Sequence, residues 1–210
     1  MKKASYSGIA GHSVERLAAL SDGIFAVAMT LLVLDLHTPL RDAIHSEREL
    51  WAALTAMSPQ LIAYLMSFLT LGIFWNGQQA QLNHLHRSDW HLTWIHIAFL
   101  FTVSLMPFST RLLAEFITWR TALLWYWINI LLSGASLFLS WRCAVKSNLI
   151  KSETPAEVTQ AIHRRIWVAQ ALYAAGASLC FINTYVSIAV IVLVQLNFAF
   201  GPQMGWLSRF

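Results

Sequence analysis

Apolar and polar positions along this chain fall into long blocks, not into the short alternations of a soluble fold. A bilayer core of about 30 Å takes about 20 residues of helix, so charge-poor intervals of that length can be read off directly. Six fit, over residues 14–36, 59–82, 90–110, 121–141, 166–182 and 185–200. The last two come from one stretch: after Arg165 there are 43 residues without Asp, Glu, Lys, Arg or His before Arg209. That is too long for one span and enough for two, with the polar Asn183-Thr184 pair as the turn. Ser58-Pro59 reads as N-cap and first helical position of the second span, preceded by a short amphipathic piece over residues 47–57. The pattern predicts an all-α integral membrane protein, a single domain of six transmembrane helices over residues 1–210.

Composition sharpens this reading. The apolar set makes up 57% of the 210 residues and charged residues only 11%, which excludes an ordinary soluble enzyme. With 10 Trp, 12 Phe and 5 Tyr the chain is too apolar for disorder. The net charge of +4 does not point to nucleic acid, because the basic residues lie singly between apolar runs and form no continuous patch. Cys143 and Cys180 have no CxxC spacing, so no disulfide framework or thiolate metal site follows. Met1-Lys2-Lys3 has the look of a signal-peptide start, but cleavage after Ala26-Val27-Ala28 would leave an apolar run behind, so the first span is expected to remain uncleaved.

Six spans put both termini on one side. Lys2, Lys3, Arg16, Arg87, Arg142, Lys146, Lys151, Arg164, Arg165 and Arg209 share that side, against Arg41, Arg48, Arg111 and Arg120 on the other, which predicts cytoplasmic termini. Trp51, Trp90, Trp119, Trp141 and Trp167 fall at span ends, as an aromatic belt requires. The one sizeable hydrophilic stretch, residues 142–165, is too short for a separate domain, and its positive charge is the usual inner-side signature. No internal repeat is visible, so the inverted-repeat logic of many transporters finds no support.

The first span is the informative one, because it holds an ionisable residue, Asp22, well inside it. Such a group is costly unless it meets a partner or water, and it lies roughly 9 Å beyond the interfacial Arg16 at 1.5 Å per residue. At 100° per residue, Leu20, Val27, Thr30, Leu31 and Leu34 share one face. Asp22 lies about 140° from Val27, with Ala18, Phe25 and Met29. It is therefore expected to point toward neighbouring helices, where a serine, histidine or asparagine would satisfy it, and with Ser21 to act as a structural lock. A first helix that enters the membrane later, leaving Asp22 at a wet end, is the alternative. By periodicity alone the stripe from Val27 to Leu34 is equally a lipid face, a bundle core or a pore lining.

Arg16-x-x-x-Leu20-Ser21-Asp22 resembles the RxxxFSD signature that opens the first helix of the transmembrane protein 175 family of potassium channels, with Leu20 in place of Phe. Pro59-Gln60-Leu61-Ile62-Ala63-Tyr64, Ser67-Phe68 and Phe74-Trp75 in the second span fit the bacterial members. So do Pro107-Phe108-Ser109-Thr110, Leu113 and Glu115 at the end of the third. The chain departs from the family at Leu20 and at Gln78-Gln79, where a histidine pair is expected, so the polar packing around Asp22 is expected to differ. The resemblance implies a homotetramer in the bacterial inner membrane, with four copies of the first helix lining the ion path and Arg16, Ser21 and Asp22 holding that helix. It places the narrow apolar layers at Val27, at Thr30 or Leu31, and at Leu34, with potassium ions and the lipid bilayer as partners and no cofactor.

Rings of Val and Leu offer no oxygen ligands to replace a hydration shell, so the expectation is a passive, leak-type cation path weakly to moderately selective for potassium. A metal site at His84, His86, His91 and His96 is poorly supported, since His91 and His96 are misaligned on one helix, and interfacial histidines are expected instead. Asp22 and Asp35 stand about 20 Å apart along the helix, and no catalytic motif accompanies them, so an enzyme is not expected. Competing readings are a proton-coupled carrier titrating Asp22 and a structural or lipid-contacting membrane protein without permeation.

Overall fold

The protein is described from a computed structural model over residues 13–200. The expectations that rest on Lys2, Lys3 and Arg209 lie outside the described residues. Within 13–200 the chain forms eight α-helices: α1 (Val14–Leu31), α2 (Glu47–Ala56), α3 (Ser58–Leu82), α4 (Trp90–Ser104), α5 (Met106–Glu115), α6 (Arg120–Lys146), α7 (Ala156–Ser178) and α8 (Thr184–Phe200).

Sequence explains where they begin and end. Ser13 caps α1 by accepting from the Arg16 N–H at 3.2 Å. After Leu31 the chain tightens into a 3₁₀ turn, Leu32–Asp35, and leaves it extended at Leu36. The first span is thus an α-helix shorter than expected, with a 3₁₀ end. Asp89 caps α4 through the Leu92 N–H at 2.7 Å. Met57 is the joint between α2 and α3, so Ser58 is already helical and not the cap. Pro107 cannot donate to the preceding turn, and α4 gives way to α5 at Leu105. The third span therefore runs as two helices to Glu115, past the limit that Arg111 suggested in the sequence. The chain turns at Asn183, whose side-chain oxygen accepts from the N–H groups of Tyr185 and Val186.

Among the described residues four segments are long and apolar enough to cross a membrane: Val14–Asp35, Ser58–Leu82, Trp90–Glu115 and Arg120–Lys146. The six-span count is not reproduced by that measure. α8 is apolar but has only 17 residues. α7 starts ten residues before the expected span and carries Glu157, His163, Arg164 and Arg165. The protein is a multi-pass membrane protein of all-α architecture.

Lipid is as apolar as leucine, so helices in a membrane are held by close packing and by polar side chains that find each other. Both devices operate here. Phe25 of α1 meets Phe99 of α4 at 5.9 Å between ring centroids, and Phe99 meets Phe74 of α3 at 6.2 Å. Deeper in the bundle, Thr110 donates to Ser67 at 2.6 Å, and Ser67 and Thr70 both bond the hydroxyl of the fully buried Tyr126. Gln195 donates to Thr70 at 2.7 Å. This one network joins α3, α5, α6 and α8. At one end of the bundle, the loops after α3 and α6 pair as a single antiparallel bridge between Leu85 and Ile150.

Candidate functional site around the first helix

α1 presents two different faces. Leu17, Ser21, Phe25, Ala28 and Leu32 recur at spacings of three and four and are buried against the rest of the chain. On the opposite side Val27 is 57% exposed and Leu34 69%, with Leu20, Thr30 and Leu31 exposed alongside them. The 3₁₀ turn matters for the register. At three residues per turn, Leu34 stands directly in line with Leu31, where a continued α-helix would have rotated it by about 60°. A shallow apolar groove of about 450 Å³ runs along this face, lined by Leu20, Gly23, Val27, Leu31 and Ser104 among others.

The Thr30 hydroxyl is the polar group on the stripe. Its oxygen lies 2.9 Å from the backbone oxygens of both Ala26 and Val27. Its single proton is committed to its own helix, which leaves its lone pairs directed outward.

Asp22 does not meet a serine, histidine or asparagine. Its Oδ1 accepts two hydrogen bonds of 2.8 Å, from the Trp75 indole N–H and from the Gln79 side-chain amide. Trp75 and Gln79 are four residues apart on α3 and so present both donors on one helix face. Hydrogen bonds to a carboxylate are among the stronger ones, and this pair fixes the rotation of α1 against α3. A carboxylate so engaged lends no support to a carrier that titrates it.

Ser21 and Asp22, adjacent in sequence, reach different helices. The Ser21 oxygen lies 2.8 Å from His96 Nε2 and the same distance from the Leu17 backbone oxygen, to which it donates. Gln78 reaches the same His96 nitrogen at 3.0 Å. His96 is 1% exposed, not interfacial as its neighbours in sequence suggested. The departure at Gln78-Gln79 thus supplies one amide to Asp22 itself and the other to His96, the partner of Ser21. Arg16 is exposed, and among the described residues its side chain makes no bond to Ser21 or Asp22. No group of three or more His, Cys, Asp or Glu capable of holding a metal occurs among the described residues.

The family resemblance read from the sequence can be compared with known proteins. The sequence model of the family described as "Endosomal/lysosomal potassium channel TMEM175" matches residues 16–107, from the start of α1 to the kink between α4 and α5. A Streptomyces collinus protein named as a potassium channel is 28% identical over 191 residues, covering 89% of this chain and 91% of that relative. The crystal structure of a "lysosomal potassium-selective channel TMEM175 homolog" from Chamaesiphon minutus shares the fold with a TM-score of 0.79 at 26% identity, covering 90% of this chain and 98% of that one. The chain is thus similar to the TMEM175 family model over its first half and to proteins named as potassium channels over nearly all of its length. Those relatives are named as ion channels of the membrane, not as enzymes. The mouse "Endosomal/lysosomal proton channel TMEM175" is 30% identical over 112 residues, half of this chain, which spans only 22% of the mouse protein's length.

Proposed function

We propose that this protein is a member of the TMEM175 family and a potassium-permeable, leak-type cation channel of the bacterial inner membrane, with both termini cytoplasmic, assembled as a homotetramer around four copies of α1. α7 and α8 complete six crossings in this reading, α7 through the apolar part that follows Arg165. The observation that carries it is the two-faced first helix. One side of α1 is locked into its own subunit through Phe25, Ser21–His96 and Asp22–Trp75/Gln79, while the other leaves Val27, Thr30, Leu31 and Leu34 uncovered. A lone subunit cannot enclose an ion path with one helix, so that face has a use only in an assembly.

In the assembly, rings of Val27, Leu31 and Leu34 form the constriction and Thr30 adds the one ring of oxygens. Such a lining replaces little of a hydration shell, so an ion crosses partly hydrated once the constriction wets. Potassium gives up water more readily than sodium, which yields a weak to moderate preference for potassium. Leu34, held in line with Leu31 by the 3₁₀ turn, forms a layer directly above it.

The test is ion flux from purified protein in liposomes under a potassium gradient, then a sodium gradient, for wild type, Val27→Ala and Leu34→Ala. The expected result is passive flux favouring potassium, with either substitution raising the rate or lowering selectivity. A folded assembly that passes neither ion, or whose flux ignores both substitutions, overturns the reading. A saturable flux that Asp22→Asn abolishes would favour a proton-coupled carrier instead.

A further inference from the structure

Away from α1, two apolar clefts open on either side of one guanidinium. The first, of about 320 Å³, lies between α3, α6 and α7 and is lined by Ile73, Gly77, Leu137, Ile166 and Tyr173 among others, with Arg165 and Phe198. The second, of about 230 Å³, lies between α3 and α8 and includes Phe68, Leu69 and Gly72, with Asn76 as a polar wall residue. Ile73, Arg165 and Phe198 line both, so these residues form the ridge that divides them. Small residues, Gly77 and Ala80 of α3 with Ala161 and Ala169 of α7, line the first cleft. Gly77 stands opposite Leu137, and a Cβ at Gly77 would meet nothing closer than the Leu137 Cδ1 at 4.0 Å.

Arg165 brings the charge, midway along an α7 lining of the first cleft that runs from Val158 to Tyr173. Arg165 is exposed, and no carboxylate lines either cleft among the described residues. It lies on the half of the bundle where α6 runs on from Phe138, which packs on His163 and Trp167, toward Arg142 and Lys146, while Tyr173 lies about 12 Å further along α7. A cation shared by two neighbouring slots matches one chemistry: a headgroup phosphate with two acyl chains. We propose that these clefts hold a diacyl anionic phospholipid, its phosphate on Arg165 and one chain in each slot. The site is separate from α1 and does not rest on the proposed conduction path.

Water is the competing occupant, because the Tyr173 hydroxyl and the Gln170 amide oxygen on the wall of the first cleft have no protein partner. Native mass spectrometry of the full-length protein, exchanged from detergent into mixed phosphatidylglycerol and phosphatidylcholine, separates the two. Wild type is expected to retain phosphatidylglycerol in preference to phosphatidylcholine and to lyso-phosphatidylglycerol. Arg165→Gln, at an exposed position that does not disturb packing, should reduce the preference for the anionic lipid about five-fold. Gly77→Leu should fill the first slot and lower retention of every diacyl lipid. No lipid retained by wild type, equal retention of the single-chain lipid, or an anionic preference that survives Arg165→Gln would each overturn the proposal. Because the readout is bound lipid, its failure is distinguishable from a failure of ion flux.

Discussion

Asp22 invites a structural reading from the sequence, but the partners it meets are not the serine, histidine or asparagine expected there. A carboxylate inside a span needs donors, and that much follows from the sequence. Trp75 and Gln79, 53 and 57 positions away, become its donors only through the packing of α1 on α3. Asp22→Ala would leave both donors unpaired and is expected to cost about 2 kcal/mol. Asp22→Asn keeps an accepting oxygen in place but not its charge, so it should cost roughly half as much. Trp75→Phe removes one donor and should resemble the Asn variant. Thermal unfolding in detergent micelles ranks the three, and an Asn variant as damaged as the Ala variant would mean that the charge, not the hydrogen bonds, holds α1 in place. Ser21 and His96 were harder to read, because nothing in the run from Trp90 to Ser104 separates a buried histidine from an interfacial one until α1 covers it.

At the scale of the elements, counting charge-free intervals locates the helices and misplaces their ends where charge and helix part company. Arg111 is exposed and helical, so the third span continues beyond it to Glu115. Glu157 to Arg165 are likewise helical, so α7 begins well before its apolar part. The kink at Pro107 was visible as a residue but not as a break, since proline leaves open whether a helix bends or ends. Close packing between α7 and α8 was not visible at all. Gly176 faces Ile191, whose Cγ1 lies 3.1 Å from the place a Cβ would take, and Ser187 donates to the Gly176 backbone oxygen at 2.6 Å. Ile191 is fully buried and has little room to retreat. Gly176→Ala is therefore expected to lower stability by about 1 kcal/mol through overpacking. The same substitution at Gly72, where a Cβ meets nothing within 4 Å, should leave stability unchanged or slightly raised. Parallel melting curves of the two variants check this, and equal losses at both positions would show that helix contact is not the cause.

For the whole molecule, the question is what covers the stripe on α1. Bare leucines are ordinary on a surface that meets lipid, so exposure of Val27, Leu31 and Leu34 alone does not require a partner. The groove beside them adds a second consideration, because Gly23 and Ser104 let another backbone come close, as small residues do at helix contacts within membranes. A neighbouring copy of α1 fits that groove if four subunits surround one axis, and the same arrangement turns Val27, Thr30, Leu31 and Leu34 inward together. A large substitution at the groove should then loosen the assembly without unfolding the subunit, since Gly23 has open space where its Cβ would stand. Gly23→Leu is expected to shift the mass of the detergent-solubilised protein from four chains toward one, with helix content by circular dichroism unchanged. An unaltered four-chain mass in that variant would place the subunit contact on another face, and a wild-type protein that weighs a single chain would remove the α1 pore altogether.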